Sequence, residues 1–326
     1  MRDNYGREIE YLRISVTDRC NLRCVYCMPE EGIENVCHAS ILSYEEITKI
    51  CTVFAKLGLK KIKITGGEPL VRLGVEELVR SLKKIPGIEN VTLTTNGVLL
   101  EKYYDALVDA GIDAVTVSLD TLDPKVFKAI TRCDQLDAVI RGIEKVIREE
   151  KVRLKINCVP VVDMERQGIV DLLEFARYKD ADVRFIELMP IGLGKDFEFI
   201  SEEELRKAIE EKYGPMIPYC ERRGNGPAKY YDVPGLKGKV GFISAVSHKF
   251  CHECNRVRLT SEGYLKTCLQ YEKGVDLRAL LRSGVSEKEL ASALKNAIRL
   301  KPEGHHFEAD DVQLNDERKG MSEIGG

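Results

Sequence analysis

The chain has 326 residues, 44% hydrophobic and 32% charged, which is enough to bury the core of one large domain or of a large and a small one. A formal net charge of −3 at pH 7 gives no whole-chain reason to expect nucleic acid or an acidic membrane as a partner. The first residues lead into no apolar segment, and no apolar stretch of about 18 residues occurs, so neither a signal peptide nor a membrane span is expected. The expected compartment is the cytoplasm.

From residue 11 to about 190, short β-branched runs alternate with segments of helical periodicity. The runs cover residues 11–16, 60–65, 91–95, 114–119, 153–159 and 182–188. Ser43 precedes Glu46 at the spacing of a helix capping box, and Asp123-Pro124 begins another helix. Six βα units in series predict a parallel sheet with right-handed crossovers, and therefore an α/β fold built on a partial (β/α)6 TIM-like barrel.

Read with a period of two, each predicted strand has one apolar face and one polar face. The polar faces carry hydroxyls, an amide and cations: Arg13 and Ser15; Lys61, Lys63 and Thr65; Thr92 and Thr94; Thr116 and Ser118; Arg153, Lys155 and Asn157; and Arg184. Burying even one unpaired cation costs several kcal/mol, so a dry core cannot hold four or more of them. The pattern favours a polar lumen that binds an anion. The alternatives are that several of these residues lie at strand ends in water, or that the strand register is shifted by one residue.

The composition changes near residues 214–228, where glycine, proline and arginine are frequent. Beyond this point, strand-like runs at 229–233 and 239–243 are followed by helical patterns at 276–282 and 286–299. We therefore predict a barrel domain over residues 1–214 and a smaller C-terminal α+β domain over residues 215–326. By composition alone, the last six residues are expected to be a frayed tail.

Six of the eleven cysteines form two groups, and the others are predicted to be small, mostly buried apolar residues. The first group, Cys20-x3-Cys24-x2-Cys27, follows the first predicted strand. Three thiolates suit an iron–sulfur cluster, and a four-iron cluster then keeps one iron without a protein ligand. The alternative is zinc, with Cys37 or His38 as a fourth ligand.

The second group consists of Cys251, Cys254 and Cys268. A disulfide framework is a poor interpretation of either group in a long chain expected to remain reduced. From the residues alone, this group suits a second cluster or a zinc site completed by His252 or His248.

The first group, with Tyr26 before its last cysteine, and Gly66-Gly67-Glu68-Pro69 at the end of the second strand together resemble the radical S-adenosylmethionine superfamily. The remaining motifs narrow the resemblance: the second cysteine group with Arg256-Val257-Arg258, the segment 184–189, Gly226-Pro227-Ala228 and the final Gly325-Gly326. In this order they resemble the GTP 3′,8-cyclase family of molybdenum cofactor biosynthesis over nearly the whole chain.

The resemblance implies two 4Fe–4S clusters, with S-adenosylmethionine at the first and the guanine of GTP at the second. The implied site residues are Tyr26, Gly67, Ser118 and Met189 for S-adenosylmethionine; Arg13, Lys63, Thr94, Lys155, Arg256, Val257 and Arg258 for GTP; Lys61 and Arg184 as further phosphate contacts; and a catalytic Gly325-Gly326 tail that reaches into the site. The family commonly has arginine where this chain has Lys63, which keeps the charge and loses the bidentate fork.

The implied activity is that of a lyase that converts GTP to (8S)-3′,8-cyclo-7,8-dihydroguanosine 5′-triphosphate, the first step of molybdopterin synthesis. The implied partners are an electron donor, the next enzyme of that synthesis and a second copy of the chain in a homodimer. Two alternatives compete with this interpretation. One is a radical enzyme with an auxiliary cluster that acts on another substrate, such as a peptide, and the other is a non-catalytic zinc-binding module.

Overall fold

The structure is a computed structural model that describes residues 1–33, 36–161, 166–221, 223–307, 316–317 and 319–325. The strands are β1 (Tyr11–Ser15), β2 (Lys61–Thr65), β3 (Asn90–Thr95), β4 (Ala114–Ser118), β5 (Arg153–Cys158), β6 (Ala181–Ile186), β7 (Ile217–Tyr219), β8 (Lys229–Asp232), β9 (Val240–Ile243), β10 (Arg256–Leu259), β11 (Tyr264–Lys266) and β12 (Gly274–Asp276). The helices are α1 (Tyr44–Lys56), α2 (Val75–Lys83), α3 (Leu100–Asp109), α4 (Pro124–Thr131), α5 (Leu136–Glu149), α6 (Arg166–Ala176), α7 (Glu202–Tyr213), α8 (Leu277–Arg282), α9 (Glu287–Arg299) and α10 (Met321–Ile324).

The strands form one continuous sheet in the order β12-β11-β10-β1-β2-β3-β4-β5-β6-β9-β8-β7. Strands β1 to β6 are parallel neighbours in chain order, and helices connect them. This confirms the predicted partial (β/α)6 barrel. Two strands from the C-terminal third extend the parallel array, β10 beside β1 and β9 beside β6.

The helix start signals in the sequence act as predicted. Ser43 caps α1 in a complete capping box with Glu46, and the Asp123 carboxylate accepts hydrogen bonds from the first turn of α4. Both caps satisfy backbone N–H groups that have no partner within the helix.

The apolar faces of the strands pack against the helices and form the core. Leu12, Ile14, Ile62, Ile64 and Val115 are fully buried there. The opposite faces lie in register across the sheet: Arg13 opposite Lys63, Lys63 opposite Thr92, and Thr116 opposite Lys155. The prediction of a polar inward face is therefore confirmed for these residues, whereas Arg153, at the start of β5, is exposed.

The C-terminal third bears on two predictions, the domain boundary at residue 214 and the frayed end of the chain. Because its strands continue the barrel sheet on both flanks, the division at residue 214 is not visible as a break in the sheet and stays a prediction. The expectation from composition that the end of the chain is frayed is wrong for the described tail, because α10 forms and buries Ser322 and Ile324.

The sequence pattern did not predict the short strands β7, β10, β11 and β12. Within the described residues, no helix is both long and apolar enough to cross a membrane.

Candidate active site

One cavity at the carboxyl ends of the barrel strands is lined by both cysteine groups: Cys20, Cys24, Cys27, Cys251, Cys254 and Cys268. Its volume of about 330 Å³ lies within the range of small-molecule sites. Groups separated by more than 220 residues in the sequence thus meet because β10 lies beside β1, which brings the second cysteine group over the same end of the barrel.

The first cysteine group lies on a loop that folds back on itself and rests against α4. The backbone N–H groups of Cys27 and Met28 both donate to the carbonyl of Cys24, at 2.9 and 3.0 Å. Burial raises the pKa of Cys20 to about 11 and that of Cys27 to about 12. Burial also raises the pKa of Cys24, and nearby Asp120 and the other two thiols add to this shift. The three sulfurs are therefore close enough to interact electrostatically.

Gly67 packs directly against this loop. A Cβ atom at Gly67 would stand 2.4 Å from the carbonyl oxygen of Asp18 and 2.5 Å from that of Arg19, both backbone atoms that cannot swing away. The Gly67 N–H also donates to the Thr17 carbonyl at 2.7 Å. Glycine is thus required here for the approach of the cysteine loop, a reason separate from contact with a cofactor.

Glu68 and Asn96 stabilise the same region, and sequence reasoning assigned a role to neither of them. The buried Glu68 carboxylate accepts hydrogen bonds from the Asn96 N–H at 2.6 Å, the Thr95 hydroxyl at 2.7 Å and the Leu70 N–H at 3.0 Å. Burial raises its pKa to about 7 against the effect of these donors. Asn96 Nδ2 lies 3.7 Å from the Cys20 sulfur, to which it donates.

Tyr26, Gly67, Ser118 and Met189 all line the cavity, as a shared cofactor site requires. The Tyr26 hydroxyl donates to Asp120 Oδ2 at 2.6 Å, and the other oxygen of Asp120 accepts from the Val159 N–H at 2.8 Å. Burial raises the pKa of Asp120 to about 6. Sequence reasoning missed Asp120, because nothing in its spacing connects it with the cysteine loop.

The second cysteine group lies between the N-terminal segment and the segment after α9. The Arg7 guanidinium donates to the carbonyls of Cys251 at 2.8 Å and Glu303 at 2.6 Å, and its charge is paired with Asp3 at 2.5 Å. Burial alone raises the pKa of Cys254, but the Lys301 ammonium and the Arg256 guanidinium outweigh it and lower that pKa to about 6. Sequence reasoning missed Arg7 and Lys301.

Arginine and threonine side chains line the deeper wall of the cavity. Arg13 of β1 lies opposite Arg258 of β10, and the cavity reaches both of them as well as Thr94 and Arg256. Burial, together with Arg13, lowers the pKa of Arg258 to about 9. Val257 also lines the cavity, with its side chain in the hydrophobic core.

Three further predicted phosphate contacts, Lys63, Lys155 and Arg184, are buried on the inward face and do not line this cavity. The Lys63 ammonium donates to the hydroxyls of Thr94 and Thr116, both at 3.2 Å. Burial lowers the pKa of Lys63, and the nearby charges of Arg184, Arg13 and Lys155 lower it further. Lys63 therefore lies close to three other predicted cations, and such a cluster of buried positive charge favours the binding of a polyanion.

Lys61 does not line the cavity either. It lies at the amino end of β2, and its ammonium forms an ion pair with Glu10. Its place on the inward face was predicted correctly, but the structure pairs its charge with a carboxylate of the chain itself.

The C-terminal tail packs against the first cysteine loop and the adjacent strand ends. The backbone N–H of Ser322 donates to the Cys27 sulfur. Gly325 has a φ of +79°, and a Cβ atom there would stand 3.0 Å from the Ser15 Cβ and 3.1 Å from the Thr65 hydroxyl oxygen. A glycine is therefore needed for both the backbone conformation and the close approach. Gly326 lies outside the described residues.

The two sets of thiols fit iron–sulfur clusters in their chemistry. Three soft sulfur donors in each set line one cavity, and the members of each set interact electrostatically. In the described ranges, no three His, Cys, Asp or Glu side chains are grouped closely enough to hold a metal ion. A four-iron cluster is larger than one ion, so its thiolate ligands stand farther apart than those of a zinc site.

Comparisons with known proteins agree with this geometry. The family model of the radical SAM superfamily matches residues 14–176, and that of Molybdenum Cofactor Synthesis C matches residues 181–307. The chain is 44% identical over 326 residues to the GTP 3′,8-cyclase of Clostridium perfringens (strain SM101 / Type A). It is 45% identical over 329 residues to that of Pelotomaculum thermopropionicum. In both cases the alignment covers 100% of each chain.

Among solved structures, Streptococcus suis SuiB bound to S-adenosylmethionine matches with a TM-score of 0.61 at 16% identity, covering 90% of this chain and 68% of that one. SuiB bound to its precursor peptide SuiA matches with a TM-score of 0.62 at 15% identity, covering 91% and 66%. At this identity the likeness concerns the fold alone. The full-length relatives and both family models show that the chain belongs to the GTP 3′,8-cyclase family of the radical SAM superfamily.

Proposed function

We propose that this protein is a radical S-adenosylmethionine enzyme that cyclises GTP between C3′ and C8 in the first step of molybdopterin synthesis. The observation that carries the proposal is that two groups of three thiols and a set of arginines line one cavity. A peptide substrate is the weaker alternative, because the proteins with peptide substrates resemble this chain only in fold.

Cys20, Cys24 and Cys27 would hold the first 4Fe–4S cluster. When bound, this cluster and S-adenosylmethionine supply the one-electron chemistry that starts the reaction. The chain's own contribution is orientation: the Ser322 and Asn96 donors hold two of the sulfurs, and the Asp120 carboxylate fixes the Tyr26 ring beside them. Ser118 and Met189, on the same cavity, would contact the cofactor.

Cys251, Cys254 and Cys268 would hold a second 4Fe–4S cluster at the other side of the cavity, where the guanine would bind. The inward cations would fix the triphosphate, which carries about four negative charges. Each cation at contact distance contributes on the order of a few kcal/mol at an effective dielectric near 20. Held at both ends, the nucleotide would present its ribose to the first group of thiols.

Ser15, Thr65 and the tail would close the cavity near the ribose. The Gly325 backbone lies against both strand ends, and with Gly326 it would exclude water from the reacting atoms. An electron donor, the next enzyme of the synthesis and a homodimer are further parts of the proposal, expected from the family alone.

The test is anaerobic reconstitution with iron and sulfide, followed by reduction and incubation with GTP and S-adenosylmethionine. We expect about eight irons per chain, together with formation of 5′-deoxyadenosine and a cyclised nucleotide. Cys24→Ala should abolish both products, whereas Cys220→Ala, at an exposed cysteine outside both groups, should preserve them. A fully reconstituted protein that forms neither product would refute the function, and about four irons would refute the second cluster.

A further inference from the structure

The second cysteine group has a buried cation for which neither the sequence motifs nor the cyclase reaction accounts. Lys301 follows α9 by two residues and is only 3% exposed. It lines the same cavity as the six cysteines. A buried ammonium is costly unless its environment compensates its charge, so its surroundings should explain why it is there.

The Lys301 ammonium has three hydrogen-bond partners around the second cysteine group. The ammonium donates to the carbonyl of Arg256 at 3.1 Å, at the start of β10, and to that of Thr267 at 2.5 Å, just before Cys268. Its third partner is the Cys254 sulfur. One side chain thus connects the loop that carries Cys254 with the strand end that carries Cys268.

The charges around this site distinguish Lys301 from its neighbour Arg7. The Arg7 guanidinium also holds the cysteine loop, but it does so through carbonyl groups, and Asp3 balances its charge. No described carboxylate forms an ion pair with Lys301. Its positive charge therefore acts on the Cys254 sulfur and, when a cluster is bound, on the negative charge of that cluster.

We propose that Lys301 is a positioning residue for the second cysteine group, which it holds in place for a cluster while its charge stabilises the added electron in the reduced cluster. This inference rests on the proposed second cluster. It has two parts that can be tested separately. The hydrogen bonds of Lys301 keep the cluster in place, and its charge raises the midpoint potential of the cluster.

The experiment uses the full-length chain with Cys20, Cys24 and Cys27 all replaced by alanine, so that only the second cluster contributes. In this background we compare Lys301, Lys301→Arg and Lys301→Gln, with Lys295→Gln on the exposed side of α9 as the matched control. The measurements are iron per chain, the rate of cluster loss to a chelator, and the midpoint potential from a redox titration followed by electron paramagnetic resonance.

We expect Lys301→Gln to lose its cluster several-fold faster and to shift the midpoint potential to more negative values. Lys301→Arg should restore most of the potential, and Lys295→Gln should behave like the unchanged background. If Lys301→Gln takes up no iron while Lys301→Arg does, the result also supports the proposal, because only the charge-preserving variant holds the cluster.

Three results would overturn the inference. An unchanged potential and rate of loss in Lys301→Gln would refute it while leaving the second cluster intact. Equal loss of iron in the Arg and Gln variants would show that Lys301 acts through packing alone. If the background chain with Lys301 takes up no iron, the proposed second cluster itself fails, and this inference fails with it.

Discussion

Lys155→Met is expected to stabilise the protein in the absence of GTP. Lys155 is 5% exposed, and burial followed by repulsion from Arg184 lowers its pKa from 10.5 to about 7. At ~1.4 kcal/mol per pKa unit, keeping this ammonium in the folded state costs about 4–5 kcal/mol. Its donation to the Arg223 carbonyl at 2.6 Å is lost in the variant, which costs ~1–3 kcal/mol. The net expected gain in the free energy of unfolding is about 1–4 kcal/mol.

The pH dependence of this gain follows from the direction of the pKa shift. Below about pH 7 the lysine is charged in both the folded and unfolded states, so its full cost is present. Between about pH 7 and 10.5 the folded protein has lost the proton and the unfolded chain has kept it, so the cost declines as the pH rises. The advantage of Lys155→Met should therefore be larger at pH 6 than at pH 9.

The assay is urea unfolding of the anaerobically reconstituted enzyme, with variants measured side by side, with and without GTP. At 100 times its Kd, GTP should stabilise the unmodified protein by ~2.7 kcal/mol, and this increment should shrink in Lys155→Met. Lys151→Met, at an exposed position just before β5, is the control and should change stability by about 0.5 kcal/mol or less. A less stable Lys155→Met protein without GTP, or an undiminished GTP increment, would refute the reasoning.

Three further substitutions test separate parts of the site. Gly67→Ala places a Cβ atom 2.4 Å from a backbone oxygen of the cysteine loop, so it should halve the iron content. Gly226→Ala, with open space around it, should leave the iron content unchanged. Equal iron in both variants would contradict this packing argument. Gly325→Ala should lower turnover ~100-fold with both clusters bound, because it displaces the tail; unchanged turnover would exclude a role for the tail. Tyr26→Phe removes the 2.6 Å hydrogen bond to Asp120 and should destabilise the protein by ~1–3 kcal/mol, measured by urea midpoint; an unchanged midpoint would show that the bond is dispensable.

The strand period and the cysteine spacings were sufficient to predict the main features of the site. The alternation of Lys63 with Ile62 and Ile64 follows from the pleat of a strand, and the structure places the ammonium in the lumen and both isoleucines in the core. The cysteine groups could be recognised for a similar reason, because ligands that lie on one loop have a short spacing in the sequence.

Residues that act across long sequence separations could not be predicted in this way. Lys301 contacts Cys254 and Asp120 contacts Tyr26 only because the fold brings distant segments together, and no local pattern records either contact. Strand β10 was missed for a different reason. It has four residues that alternate arginine with Val257 and Leu259, and only its pairing with β1 shows that it belongs to the barrel sheet.

One continuous sheet joins the two segments that the family models match, residues 14–176 and residues 181–307, so each segment depends on the other. Strand β1 is flanked by β10 and strand β6 by β9, so a chain that stopped at residue 214 would expose two strand edges with unpaired backbone groups. It would also lack Arg256 and Arg258 on the cavity wall and all of the second cysteine group. The first segment carries the residues proposed to generate the radical, but the second completes both the sheet and the nucleotide end of the cavity. The chemistry and the fold therefore require the same strand pairing, and a substitution that weakens the β1–β10 contact should impair both.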